Sequence, residues 1–309
     1  MRDQYAGDIS DLLKIALLRH LAGNDLTLGV HWYYNADEEN RVGDGRHLEY
    51  RNEEKWEALD SDLRKSLKTL PERKVTALEQ LPVWPQGTVF FIERIPGNVE
   101  RSNWVSRAKA NFEEAKLLFL DPDNGMGERP TKKHATWEEL RAISRPDRTL
   151  VIIKFPGRTN HCEQVRAYHA RILSCPGFSS LLTLRISVRI GQVPRTRWFT
   201  IINGSTEIEK RANEYAEKIK AVKGCTVHIS TGKECTEAAA SLAKPVQTKG
   251  ANSPKKICPA CDHTFGGLGW CGIDSHWKNN HLSEMSYEEA WKLIKCGRYP
   301  VRQEKGSQE

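Results

Sequence analysis

The sequence predicts an α/β protein: a mostly parallel sheet with helices on both faces, a terminal antiparallel hairpin, and a small module rich in metal-ligand residues near the C-terminus. Three observations lead there. Short, continuous apolar runs such as L-L-F-L (117–120) and L-V-I-I (150–153) alternate with segments of helical periodicity, as expected of strands buried on both faces. Two β-rich runs, L-L-T-L-R-I-S-V-R and T-R-W-F-T-I-I-N, are joined by the short polar link I-G-Q-V-P-R, which suits an antiparallel hairpin. Beyond residue 257, cysteines and histidines gather at ligand spacing.

The elements follow in order. Ile9, Leu12, Leu13, Ala16 and Leu17 recur at helical spacing, with Asp8 to cap the start and Gly23 to end the helix. L-T-L-G-V-H-W-Y-Y reads as a strand, a polar stretch follows, and residues 53–81 read as helical. T-V-F-F-I-E-R is a strand, S-N-W-V-S-R-A-K-A-N-F-E-E-A a helix, and K-L-L-F-L a buried strand. A helix over 135–144 leads to the strand T-L-V-I-I-K-F, and the helix E-Q-V-R-A-Y-H-A-R-I-L leads to the hairpin. A last helix, S-T-E-I-E-K-R-A-N-E-Y-A-E-K-I, closes the unit near residue 221. Trp32, Trp104 and Trp198 read as core from their periodic neighbours.

The α/β domain is assigned to 1–230. Residues 231–257 have the Lys, Ser, Gly and Pro of a flexible linker. A compact module spans 258–297, and 298–309 reads as a disordered tail. No run of eighteen apolar residues exists, so no membrane span is expected, and M-R-D-Q-Y-A-G-D lacks the apolar core of a secretory signal; the expected location is the cytoplasm. A formal net charge of +7 favours polyanionic partners, nucleic acid first, DNA or RNA. The eight cysteines are mostly scattered, which argues against a disulfide scaffold.

Cys258 and Cys261 are separated by two residues, and His276 and His281 follow at about one helical turn from each other. Two thiolates and two imidazoles suit tetrahedral Zn²⁺, and so short a module needs a staple. The pattern resembles a zinc finger of the two-cysteine, two-histidine type, with His263 and Cys271 as competing ligands. Asp274, Ser275, Lys278 and Asn279 would be exposed on its helix, as nucleic-acid readers are. The acidic amphipathic helix after it suits a protein partner equally well.

The strand end L-L-F-L-D-P-D-N-G (117–125) carries the sharpest question of function. In open α/β sheets ligands sit outside the carboxyl ends of the strands. Asp, Pro, Asn and Gly are also common turn residues, but a turn does not need two acids and an amide behind so apolar a strand. Two chemistries use such a group. An acid and the next carbonyl can hold the exocyclic amine of an adenine beside a methyl donor. Alternatively, Asp121 and Asp123 can hold Mg²⁺ for phosphodiester hydrolysis, with Glu93 or Asp44 completing the oxygen shell.

A-G-D-I-S-D-L-L-K (6–14) resembles the A-G-N-x-A-D-x-L-K opening of the 23S rRNA adenine-N6 methyltransferases. L-L-F-L-D-P-D-N-G falls where that family carries its D-P-P-Y strand, and T-R-W-F-T-I-I-N-G-S-T-E-I-E-K is similar to its final strand and I-N-P-P-W turn. The likeness runs as short islands across 5–221. It implies a Rossmann-like methyltransferase fold using S-adenosylmethionine, with Lys14 near the active site, Asp121 at the catalytic motif and Glu93 at the cofactor ribose. The chain departs from the family in two places. The stretch after G-V-H-W-Y-Y is acidic and delays its glycines, and Asp123 and Asn124 replace the second proline and stacking aromatic of the motif.

G-D-G-R-H (43–47) offers Asp44 as an acid, Arg46 as an anion binder and His47 as a general base. Lys132, Lys133, His134 and Arg158 would project from strand ends towards phosphates. Lys154, inside a strand, needs a partner, for which Asp121 or Asp123 would serve. The expected function is therefore a nucleic-acid-acting enzyme whose site gathers Asp121, Asp123, Asn124, Lys14, Asp44 and His47. Methyl transfer is the leading reading, a Mg²⁺-dependent nuclease the second, and an inactive binding module the third.

Overall fold

The computed structural model describes residues 1–35, 45, 47–190, 193–232, 256–257 and 264–265. Asp44, Arg46, the ligand candidates Cys258, Cys261, His263, Cys271, His276 and His281, and the tail 298–309 lie outside the described residues. The chain divides into two units, Met1–Leu242 and Ala243–Glu309. In the second unit the strands Lys256–Ile257 and Thr264–Phe265 pair antiparallel, with Lys256 opposite Phe265. Cys258 and Cys261 fall between those strands in sequence.

The first unit is built on seven strands: β1 (Leu28–His31), β2 (Val89–Phe91), β3 (Leu117–Leu120), β6 (Thr149–Lys154), β7 (Leu181–Ile190), β8 (Val193–Ile202) and β9 (Cys225–Thr231); two short strands, β4 (Met126–Gly127) and β5 (Ala135–Thr136), pair separately. The sheet order is β2-β1-β3-β6-β8-β7-β9. β2, β1, β3 and β6 are mutually parallel, β8 runs antiparallel to β6 and β7, and β9 antiparallel to β7. From β1 the chain first moves to one side, to β2, and then crosses to the other, to β3. The order therefore reverses between β1 and β3, where doubly wound sheets open a crevice at their carboxyl ends.

Alternation along the central strands fills both faces. Leu117, Phe119, Val151 and Ile153 belong to one core layer with α1 (Ile9–Ala22), α2 (Glu57–Lys68) and α7 (Thr206–Ala221). Leu118, Leu120, Leu150 and Ile152 belong to the other, with α4 (Arg101–Asn111), α5 (Trp137–Ile143) and α6 (His161–Leu173). Trp32, Trp104 and Trp198 are fully buried, as the sequence predicts. The first helix has the ends the sequence predicts: Asp8 accepts from the Ser10 and Asp11 amides, and Gly23 ends it. No helix of the described residues is long and apolar enough to cross a membrane.

Three expectations change. The unit does not close near 221: β9 pairs with β7 over seven residues, so the antiparallel side holds three strands rather than a hairpin. Its C-T-V-H-I-S-T alternates too briefly, inside a polar run, to stand out. The helical stretch 53–81 is instead α2 and a short α3 (Val75–Glu79), preceded by two 3-10 turns. The strand expected over 26–34 shortens to β1, because Tyr33 turns to a positive φ of 48° and breaks the extended run.

Candidate functional site

The carboxyl ends of β3 and β6, the start of β8 and the first turns of α1 enclose a cleft of about 800 Å³. β3 delivers Asp121, since the Asp121 amide still bonds to the His31 carbonyl of β1 at 2.9 Å before Pro122 ends the strand. α1 delivers Asp11 and Lys14 one turn apart, on a helix so enclosed that twelve of its residues are buried.

Lys14 is the hub. Its Nζ lies 2.6 Å from Asp121 Oδ2 and 2.7 Å from Asp11 Oδ1, and it stands 5.2 Å from the Trp32 ring centroid. All three side chains are almost wholly shielded from solvent. Burial pulls the Lys14 ammonium down, but the two carboxylates more than offset it and leave it above its ordinary value. Burial pushes the Asp11 carboxyl up to about 6, with Lys14 opposing the shift. Asp11 also accepts the Gly7 amide at 2.5 Å, which fixes the turn entering the helix. Asp121 Oδ1 has no hydrogen-bond partner among the described residues.

Asp123 takes a different pair of cations. Its Oδ1 lies 2.9 Å from the Met1 ammonium, and its Oδ2 accepts from Arg2 Nε at 3.0 Å. The same ammonium donates to the carbonyls of Tyr33 (3.0 Å) and Asp121 (3.1 Å), so it bridges the ends of β1 and β3 at the reversal of strand order. Asn124 is exposed and bonds through its amide to the Lys133 carbonyl at 2.8 Å. Gly125 follows at φ +87°, with Lys154 packed so close that a Cβ there would lie 2.9 Å from Lys154 Cγ.

The turn that holds Lys133 is itself anchored from behind. Arg101 engages Glu139 with two bonds, at 2.5 and 3.1 Å, and donates to the His134 carbonyl at 3.0 Å. Glu139 closes a capping box with Thr136 and takes the Tyr33 hydroxyl at 3.2 Å. The buried pair thus ties β1, α4 and α5 to the loop beneath Asn124.

Of the residues singled out in the sequence, Asp121, Asp123, Asn124, Lys14, His47, Lys133 and Arg158 line this one cleft. Glu93 does not: its carboxylate is half-exposed and pairs with Arg107 at 2.6 Å on α4. Among the described residues Lys154 has no carboxylate partner; it stands 5.2 Å from the Tyr168 ring centroid, half-buried, and desolvation lowers it. His134 lies off the lining, its Nδ1 2.8 Å from Thr131 Oγ1, and burial with Lys154 and Lys133 lowers it. Of two neighbours at the start of α6, His161 lines the cleft and Cys162 is an exposed free thiol.

No protein-family model matches the chain, and no curated protein matches it. Among solved structures, the crystal structure of protein LPL1258 from Legionella pneumophila, assigned to the DUF519 family, is similar with a TM-score of 0.42. It is 14% identical and covers 74% of this chain and 99% of its own.

Met1, Arg2, Asp11, Phe155, Arg195 and Arg197 also line the cleft, and none of them stands out as a site residue in the sequence. Asp11 carried a readable signal, an acid three residues before Lys14 inside an otherwise apolar helical run. The cleft contacts of the others come from sheet register and chain crossing, which no local spacing encodes. Among the described residues no three His, Cys, Asp or Glu side chains form a group able to hold a metal ion.

Proposed function

We propose that the first unit is a nucleic-acid-modifying enzyme on a Rossmann-like sheet, transferring a methyl group from S-adenosylmethionine to the exocyclic amine of a base. The observation that carries the reading is the placement of Asp121. Its carboxylate sits at the carboxyl end of a central parallel strand, beside the reversal of strand order, with one oxygen clamped by Lys14 and the other unpartnered. An oxygen fixed in this way can accept an amine N–H and aim the nitrogen lone pair at an electrophile, which is positioning catalysis. Lys14 orients Asp121, and Asp11 holds Lys14. His47, half-buried on the cleft wall, is placed to receive the proton released when the amine is alkylated.

The donor supplies an electrophilic methyl on sulfur. The Tyr33 and Asp121 carbonyls and the Asp123 carboxylate have the chemistry to hold the ammonium of its methionine end, since they already hold that of Met1. Seating a donor there requires Met1 to move aside. Glu93 has no role in this reading.

The nuclease reading fits less well. Asp121 and Asp123 are each already paired with cations at 3.0 Å or less, so Mg²⁺ would have to displace Lys14 on one side and Met1 with Arg2 on the other. For the second unit, we propose that Cys258, Cys261, His276 and His281 hold a structural zinc ion and that the finger contributes nucleic-acid or protein contacts.

Calorimetric titration of the full chain with S-adenosylmethionine, alongside transfer of labelled methyl to single-stranded RNA and DNA, tests the proposal. Saturable donor binding is expected, with transfer abolished in Asp121→Asn while donor binding persists. Absence of donor binding together with Mg²⁺-dependent strand cleavage lost in Asp121→Asn would overturn it in favour of the nuclease.

A further inference from the structure

The part of the cleft lined by the chain leaving β6 and the start of β8 carries features the methyl-transfer reading does not use. β6 ends at Lys154, which lies opposite Trp198 of β8 in antiparallel register, so the chain leaving β6 runs beside the residues entering β8. That register brings Phe155 and Arg158 to the same edge as Arg195 and Arg197, and all four line the cleft.

Arg197 is the unusual member. It is 3% exposed, yet no carboxylate pairs with it among the described residues. Its guanidinium donates only to neutral acceptors, Ser10 Oγ at 2.7 Å and the Arg195 carbonyl at 3.3 Å. Burial lowers its pKa, and Asp8 and Asp11 offset this only from a distance. A buried charge is normally paired, because neutral partners do not repay its desolvation. Arg195, two residues away on the same side of the strand, and Arg158 are exposed and likewise without an ion pair among the described residues. The three guanidiniums line one wall of the cleft, and none of them is ion-paired among the described residues.

Phe155 stands beside them at 39% exposure; the only other large hydrophobic side chain so exposed among the described residues is Val99. It is not on a loose loop. Gln164 accepts the Gly157 amide at 2.9 Å and donates to the Gly157 and Thr159 carbonyls, while Asn160 caps α6. A rigidly presented aromatic face beside unpaired guanidiniums is the combination that takes a base and its phosphate together.

We infer that this wall is the substrate subsite, that it takes a single unpaired nucleotide of a nucleic-acid strand, and that the base lies on Phe155 with the backbone phosphate on Arg158, Arg195 and Arg197. The inference rests on the proposed function and narrows its substrate to strands whose target base is out of a duplex. It also supplies, from a neighbouring strand, the stacking aromatic that D-P-D-N lacks.

The test is fluorescence anisotropy on the full chain, with a short labelled single strand, the same strand annealed to its complement, and free adenosine monophosphate as competitor. The single strand is expected to bind at least about tenfold tighter than the duplex. Phe155→Ala should weaken it about tenfold, within the range measured for base–aromatic stacking. Arg195→Gln and Arg158→Gln should each weaken it and lower the salt slope by about one. These two positions are exposed, so the result does not depend on whether Arg197→Met folds. Equal affinity for duplex and single strand, or binding that survives Phe155→Ala and Arg195→Gln combined, would overturn the inference. Mononucleotide binding as tight as strand binding would overturn the strand assignment. Calorimetry with S-adenosylmethionine reads the proposed function separately, and Phe155→Ala should leave it unchanged.

Discussion

Lys14 Nζ lies 2.6 Å from Asp121 Oδ2, joining the first helix to the end of the central strand across 107 residues of chain. Because Asp11 takes the same ammonium at 2.7 Å, one buried cation serves two buried carboxylates, and the two ends of this bond are not equivalent. Lys14→Met strands both carboxylates in a dry site and should destabilise the protein by about 3–5 kcal/mol, the usual cost of breaking a buried pair. Asp121→Asn leaves Lys14 its bond to Asp11 and an amide oxygen in place of the carboxylate, so it should cost clearly less. Urea unfolding of the two variants checks the order. Equal losses would mean that Asp11 contributes nothing to holding the lysine.

The same triad makes stability depend on pH. Asp11 is pushed from its ordinary 3.8 up to about 6 in the folded chain, chiefly by burial. Between those values the folded state keeps a proton that the unfolded state has released. Its contribution is therefore full below about pH 4 and is lost as pH rises through 6, at most about 3 kcal/mol. His31, enclosed by Tyr33, Trp104 and Phe91, works in the opposite sense: burial holds its pKa well below 6.5, so its contribution is present above 6.5 and lost as pH falls. Asp11→Asn should remove the first slope and leave that of His31 in place. Unfolding free energies measured across pH 4–7 should then rise more steeply with pH than in the parent chain; an unchanged profile would show that Asp11 does not titrate in that window.

Much of this was legible, for identifiable reasons. The first helix could be read from Ile9, Leu12, Leu13 and Leu17, and its ends from Asp8 and Gly23, because capping and periodicity are local. Asp121 could be placed at a ligand edge because an apolar run stopped by Pro122 is also local. What escaped depends on partners distant in sequence. Glu93 looked available at a strand end, but Arg107 on the following helix claims it. Lys154 looked in need of an acid, but an aromatic face satisfies it. Arg197 becomes unusual only when sheet register buries it against Ser10 without a counter-ion.

The C-terminal ligand set makes a separate prediction. Purified full-length protein should contain about one zinc per chain if Cys258, Cys261, His276 and His281 form one tetrahedral site. Cys258→Ser should lose that metal, whereas Cys271→Ser should retain it. Because the two units are built independently in sequence, chelation should leave donor binding by the first unit intact while exposing the second to proteolysis. Metal retained in Cys258→Ser and lost in Cys271→Ser would reassign the ligands.

Gly125 tests how tightly the acidic loop is held. Its φ of +87° is strained for any L side chain, and an added Cβ would lie 2.9 Å from Lys154 Cγ, 3.0 Å from its Cβ and 3.2 Å from its Cα. Backbone cannot step aside as a side-chain tip can, so Gly125→Ala should carry both a conformational and a steric cost. Gly177 supplies the control: its φ is +91°, but an added Cβ meets nothing within 4 Å. Gly177→Ala should therefore lose only about 1 kcal/mol from backbone strain, and Gly125→Ala distinctly more. Thermal unfolding of the pair separates the two terms. Because Gly125 follows Asp121, Asp123 and Asn124 directly, its variant should also weaken single-strand binding, which Gly177→Ala should leave alone; equal effects of the two on binding would show that the loop's close approach to Lys154 does not shape the cleft.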